Sequence, residues 1–96
     1  MNTERKLATI LATDCVNFSK HMEENEELTL SNLNECRKII DEIIAKFDGK
    51  IFSTAGDSVV AEFASPVQCV KAAVEFQDKL YERNEHSLTK LQLSWR

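Results

Sequence analysis

Glycine occurs twice and proline once in these 96 residues, and no internal repeat, low-complexity tract or linker interrupts the chain. No run is long and apolar enough to span a bilayer. Met1 to Lys6 lead straight into an expected strand with no apolar h-region, so a soluble, cytoplasmic chain is expected. Cysteine is sparse and odd in number: Cys15, Cys36 and Cys69 form no C-x-x-C pair and have no partner histidines at zinc spacing. They read as reduced, mostly buried thiols rather than nucleophiles. A basic excess is also missing. The net charge of −4 argues against a nucleic-acid partner, which needs a basic surface. It leaves room for a nucleotide, because a bound metal can supply local positive charge.

What is present is an ordinary globular composition, 43% hydrophobic and 29% charged, in a length that suits one domain over residues 1–96. Residues 6–13 are nearly all apolar and read as a central strand. Asp14 to Ser19 read as a loop into a short helix, with Asn17 a possible cap. From Glu26 to Asp48 the apolar residues Leu33, Cys36, Ile40, Ile43, Ile44 and Phe47 recur at helical steps between charged residues. Glu23, Glu24, Glu26 and Glu27 suit the positive end of that helix, and Gly49 suits a left-handed stop. Strands are expected over 50–55 and 58–63, with Gly56-Asp57 as a two-residue hairpin turn. Ser65-Pro66-Val67-Gln68 then opens a helix with serine as N-cap, proline in the first turn and glutamine at the capping-box position. Val70, Ala73, Val74, Gln77, Leu80 and Tyr81 are expected to form its apolar face, and Leu91 to Trp95 alternate like a final strand.

This order specifies an α+β chain: a ferredoxin-like βαββαβ sandwich whose four-stranded antiparallel sheet carries its helices on one face. In that arrangement the first strand lies beside the third, and Asp14 meets the Gly56-Asp57 turn at one sheet edge. Taken singly, Asp14 reads as a cap or turn residue and Asp57 as turn chemistry. Taken together, two converging carboxylates repel unless a cation lies between them, which points to a divalent-metal site. Magnesium needs only a few carboxylates plus phosphate oxygens. Free backbone amides of the loop Cys15 to Ser19 suit phosphate oxygens. Among the other conspicuous side chains, Phe18 reads as a staple onto the core and Ser19 as a local cap. His21 and His86 read as surface residues. Trp95 reads as core or as a subunit contact.

The segments Arg5-Lys6-Leu7-Ala8-Thr9-Ile10-Leu11-Ala12-Thr13-Asp14, Phe18-Ser19, Thr54-Ala55-Gly56-Asp57-Ser58 and Glu62-Phe63-Ala64-Ser65 resemble the N-terminal half of a class III adenylate/guanylate cyclase catalytic domain, in its bacterial branch. The resemblance runs from about Arg5 to Asn84. It implies conversion of ATP or GTP into the 3′,5′-cyclic nucleotide and pyrophosphate. Asp14 and Asp57 would hold two Mg2+ or Mn2+ ions. The backbone of the Cys15, Val16, Asn17, Phe18, Ser19 loop would hold phosphates, with Val16 to Phe18 at its centre. Two subunits would share each site in a head-to-tail homodimer.

The chain departs from the family in two ways. Ser53 stands where the family has a base-reading lysine. The residues through Arg96 span about half of the family's domain, without the second base-reading residue, the ribose-orienting asparagine and the transition-state arginine. No complete catalytic set is therefore expected in this chain. The final strand reads Ser94-Trp95-Arg96 where the family often has an arginine-apolar-glycine run. The alternative is a non-catalytic ferredoxin-like module that dimerises, with strand exchange at an exposed edge, or binds nucleotide without turnover.

Overall fold

A computed structural model of the chain describes residues 7–86 and 91–96. The elements run β1 (Thr9–Thr13), α1 (Phe18–Glu24), α2 (Glu26–Lys46), β2 (Lys50–Ala55), β3 (Ser58–Phe63) and α3 (Pro66–Glu85). The strands form an antiparallel sheet in the order β1-β3-β2. The α+β class and the β1–β3 neighbourhood match the expectation. Among the described residues the sheet has three strands, and the expected fourth is not formed as a strand. Residues 94–96 run beside 14–16, where only the Cys15–Trp95 bridge is formed. Val16 N donates to Ser94 O, and Asp14 and Arg96 exchange both main-chain bonds.

The alternation read over 91–95 is real: Leu93 and Trp95 are buried, whereas Gln92, Ser94 and Arg96 are exposed. The ladder is short because this segment lies past the end of β1. Its other carbonyls are taken by α3, with Gln77 Nε2 donating to Trp95 O, Asn84 Nδ2 to Leu93 O and Arg83 Nη1 to Leu91 O. Strand β1 also starts later than expected. Its register pairs Thr9 with Phe63, the last residue of β3, so Leu7 and Ala8 have no partner strand among the described residues. Lys6, the first residue of the expected strand, lies outside the described residues.

One sheet face carries Leu11, Thr13, Val59, Ala61 and Phe63, all buried. Helices α2 and α3 cover it through Leu33, Cys36, Ile40, Ile43 and Ile44, and through Cys69, Ala72, Phe76 and Leu80. The apolar positions expected of α2 are thus its core face. The expected face of α3 is largely wrong. Val70, Val74 and Tyr81 are exposed, and Cys69, Ala72 and Phe76 point inward instead. Both stripes have helical spacing, so periodicity alone does not choose between them. The choice falls to shape, since Ala72 and Cys69 let the helix approach the sheet while Phe76 fills the space beyond.

The caps show the same division. Ser65 accepts from Gln68 N and Pro66 opens the first turn of α3, as expected. Asn17 precedes α1 in a left-handed conformation but makes no side-chain cap, and it is Asn25 that caps α2 by accepting from Leu28 N. Glu23 and Glu24 accordingly lie at the end of α1, and only Glu26 and Glu27 occupy the first turn of α2.

The left-handed residue after α2 is Asp48 at φ 62°, not Gly49. Gly49 is needed for space: a Cβ there would meet the Phe63 ring at 2.5 Å and Ile44 at 2.7 Å. Gly56 is the converse case, with φ +57° and open space around it. Gly49→Ala should therefore cost about 1–3 kcal/mol through overpacking. Gly56→Ala should cost about 1–2 kcal/mol, through its left-handed backbone alone. Urea denaturation of the two variants tests the ranking, with Gly49→Ala the worse and recovered in part by Phe63→Leu, which makes room beneath it.

Candidate functional site

The register that pairs Thr13 with Val59 brings the end of β1 to the start of β3. Asp14 follows Thr13, and the Gly56-Asp57 turn precedes Ser58, so both aspartates come to one end of the sheet. The turn is the expected two-residue hairpin, with Ala55 opposite Ser58. Its carboxylate reaches across to the other element, where Asp57 Oδ2 accepts from Cys15 N at 2.9 Å. This bond ties the loop after β1 to the hairpin.

Asp14 and Asp57 share the lining of one open cavity of about 470 Å³ with Cys15, Asn17, Phe18, Ser19, Lys20 and Arg96. The structure thus gathers the two expected metal residues and most of the expected phosphate loop. It removes two of that loop's amides from service. Cys15 N is spent on Asp57, and Val16 N on Ser94 O. The amides of Asn17, Phe18 and Ser19 have no acceptor among the described residues. Phe18 packs against the core, as a staple should, while Ser19 makes no capping bond. Ser53 does not line the cavity. A bulge at Phe52 in β2 leaves Ser53 opposite Val60, on the sheet face away from the helices. A more apolar hollow of about 410 Å³ lies between α2 and α3 and includes Ile39, Ile43 and Arg83, but none of the expected metal or phosphate residues.

Arg96 and Lys20 are the cavity residues that sequence reasoning missed. Arg96 Nε donates to Asp14 Oδ1 at 2.7 Å. The sequence signal available was the departure from the family at the final strand, where Arg96 stands at the place of the run's glycine. Among the described residues no three His, Cys, Asp or Glu side chains come together to hold a metal. Two carboxylates offer hard oxygen donors that fit Mg2+ or Mn2+ only when further oxygens, such as phosphate, complete the shell.

The three cysteines are free and buried. Burial, reinforced by the charge of Asp57, pushes the Cys15 thiol up to about 11. Burial likewise raises Cys36, against the lowering effect of Arg83. These thiols stay protonated at neutral pH and are poor nucleophiles.

No family model matches the chain. Putative adenylate cyclase 3 of Rhizobium meliloti (strain 1021) is 33% identical over 81 residues, 83% of this chain and 14% of that protein. The solved guanylyl cyclase Cya2 superposes with a TM-score of 0.84 at 27% identity, over 99% of this chain and 53% of that one. The adenylate/guanylate cyclase/hydrolase of Silicibacter pomeroyi gives a TM-score of 0.76 at 29% identity, over 94% of this chain and 55% of that one. Sequence and fold likeness together thus define a domain of the nucleotidyl cyclase type. More particularly, the chain is similar in sequence and fold to the class III adenylyl/guanylyl cyclase catalytic domains of bacteria. It spans about half the length of these solved chains and a small part of the curated relative.

Two expectations follow from the site. Asp57→Ala leaves Cys15 N without its acceptor and should cost about 1–2 kcal/mol. Asp14→Ala breaks a pair whose side chains are 71% and 40% exposed, and should cost at most about 1 kcal/mol, less in high salt. Chemical denaturation at low and high salt separates the two. For Cys15, whose pKa rises from 9.0 to about 11, the unfolded chain loses its proton first as pH climbs. Its contribution is whole below pH 9 and is lost between there and about 11. Cys15→Ala should flatten part of that decline in a denaturation series run from pH 7 to 11.

Proposed function

We propose that this chain is the metal- and phosphate-binding part of a nucleotidyl cyclase catalytic domain, acting on ATP or GTP to form the 3′,5′-cyclic nucleotide and pyrophosphate. The observation that supports it most is the convergence of Asp14 and Asp57 on one cavity, with Asp57 bonded to the loop after β1. The cyclase relatives supply the reaction class.

Asp14 and Asp57 are the residues that would hold Mg2+ or Mn2+. When bound, the metal supplies positive charge for the triphosphate and acidifies the ribose hydroxyl. The chain's own part is binding and orientation. The main-chain bond from Cys15 fixes the Asp57 carboxylate, so it is held in place before any ligand arrives. The amides of Asn17, Phe18 and Ser19 are left to donate to phosphate oxygens, and Lys20 adds a positive charge beside them. The residues that orient the ribose and stabilise transition-state charge would come from outside these 96 residues. A homodimer partner would lie against the open sheet face, where Ile10 and Phe52 are exposed. A non-catalytic module is the second reading. It is favoured by Ser53 in place of a base-reading lysine and by the Asp14–Arg96 pair.

Incubation of this chain within a complete two-subunit catalytic domain with ATP or GTP and Mn2+, read by chromatography of cyclic nucleotide, tests the first reading. Turnover should fall by roughly 10²-fold or more in Asp14→Ala and Asp57→Ala. Product that is indifferent to both substitutions would remove these aspartates from the chemistry. Nucleotide binding without product would favour the module.

A further inference from the structure

Arg96 meets Asp14 by two routes. Its guanidinium Nε donates to Asp14 Oδ1 at 2.7 Å. Its main chain exchanges both bonds with Asp14, each 3.0 Å, and its carbonyl also accepts from Thr13 Oγ1 at 2.7 Å. The backbone ladder sets the Arg96 Cα directly across from Asp14, so the side chain stays within reach of that carboxylate. The side chain is 71% exposed, so it can also turn away into solvent without disturbing the core. A guanidinium keeps its charge throughout the range in which proteins fold.

We propose that Arg96 is an internal competitor for a divalent cation at Asp14. A metal ion takes this carboxylate only as the guanidinium swings out, so Arg96 sets how much metal is needed to load the site. The inference rests on the reading that Asp14 holds a cation, and it adds a regulation of that site by the chain itself. With Arg96 in place the charges lining the cavity balance, Asp14 and Asp57 against Arg96 and Lys20. With Arg96 turned out, the two carboxylates outweigh Lys20 and the cavity favours a cation. Asp57 is engaged by a neutral main-chain donor rather than a charge, so the competition acts at Asp14.

The experiment is Mn2+ binding to the full 96-residue chain with a fixed concentration of a non-hydrolysable ATP analogue present to supply phosphate oxygens, read against a protein-free control by the electron paramagnetic resonance of free Mn2+ and by calorimetry. Substitutions at Arg96 keep the main-chain ladder, and circular dichroism checks that they fold. Arg96→Ala and Arg96→Gln should tighten Mn2+ binding by roughly two- to tenfold, as expected for loss of an exposed competing charge. Arg96→Lys should stay near the parent. Asp14→Asn should weaken binding, and adding Arg96→Ala to it should change nothing further, because the two residues act on one another. Equal affinity in the parent and Arg96→Ala, with loss in Asp14→Asn, would overturn the competition and leave Asp14 as a ligand. Mn2+ binding that no aspartate substitution alters would overturn both the competition and the metal reading of the site.

Discussion

The antiparallel register of β1 on β3 is the constraint from which the rest of the site follows. Pairing Thr9 with Phe63 and Thr13 with Val59 aligns the end of one strand with the start of the other. A shift by one residue would turn Leu11 and Thr13 off the core face and carry Asp14 away from the hairpin. The register is held by what it buries. Leu11, Val59, Ala61 and Phe63 all lie on the covered face, against Ile40, Ile44 and Phe76. Fully burying a side chain of this size contributes roughly 1.5–3 kcal/mol, so slippage would forfeit several such terms at once. The Cys15–Asp57 bond then closes the same end of the sheet with a long-range contact that no local turn could supply.

The chain's last residues are held differently from the sheet. Leu93 and Trp95 bury their side chains, but their carbonyls turn to Asn84 and Gln77 on α3. Arg83 extends this support from Leu91 O to Asn32 and Glu35 on α2. Polar side chains of one helix thus do for this segment what a full ladder would otherwise do. The result brings Arg96 to Asp14. The same packing therefore assembles the cavity and places a cation against one of its carboxylates.

That cavity is electrostatically modest. Its two acids face two bases, and Asp57 is satisfied by a main-chain donor. Such a site does not demand a metal in order to fold. Its two carboxylates already have partners within the chain, which suits a cation that arrives with further oxygens of its own rather than one caged by protein.

Much of this was legible in the residues. The strand and helix order, the Gly56-Asp57 turn, the Ser65 cap and the core face of α2 all follow from local rules: hydrophobic period, turn chemistry and capping. The pairing of Asp14 with Asp57 was legible through topology, because strand order alone brings their segments to one edge. Three things were not. Two apolar stripes compete on α3, and only packing volume chose Cys69, Ala72 and Phe76 over Val70, Val74 and Tyr81. The left-handed stop after α2 falls on Asp48, while Gly49 is required by its closeness to Phe63, fourteen residues on in the chain. Arg96 reaches Asp14 because a terminal segment is laid beside the end of β1. Local order is set by interactions within a few residues, which a sequence displays. Which face turns inward, and which charge meets which, depends on neighbours that only three-dimensional packing supplies.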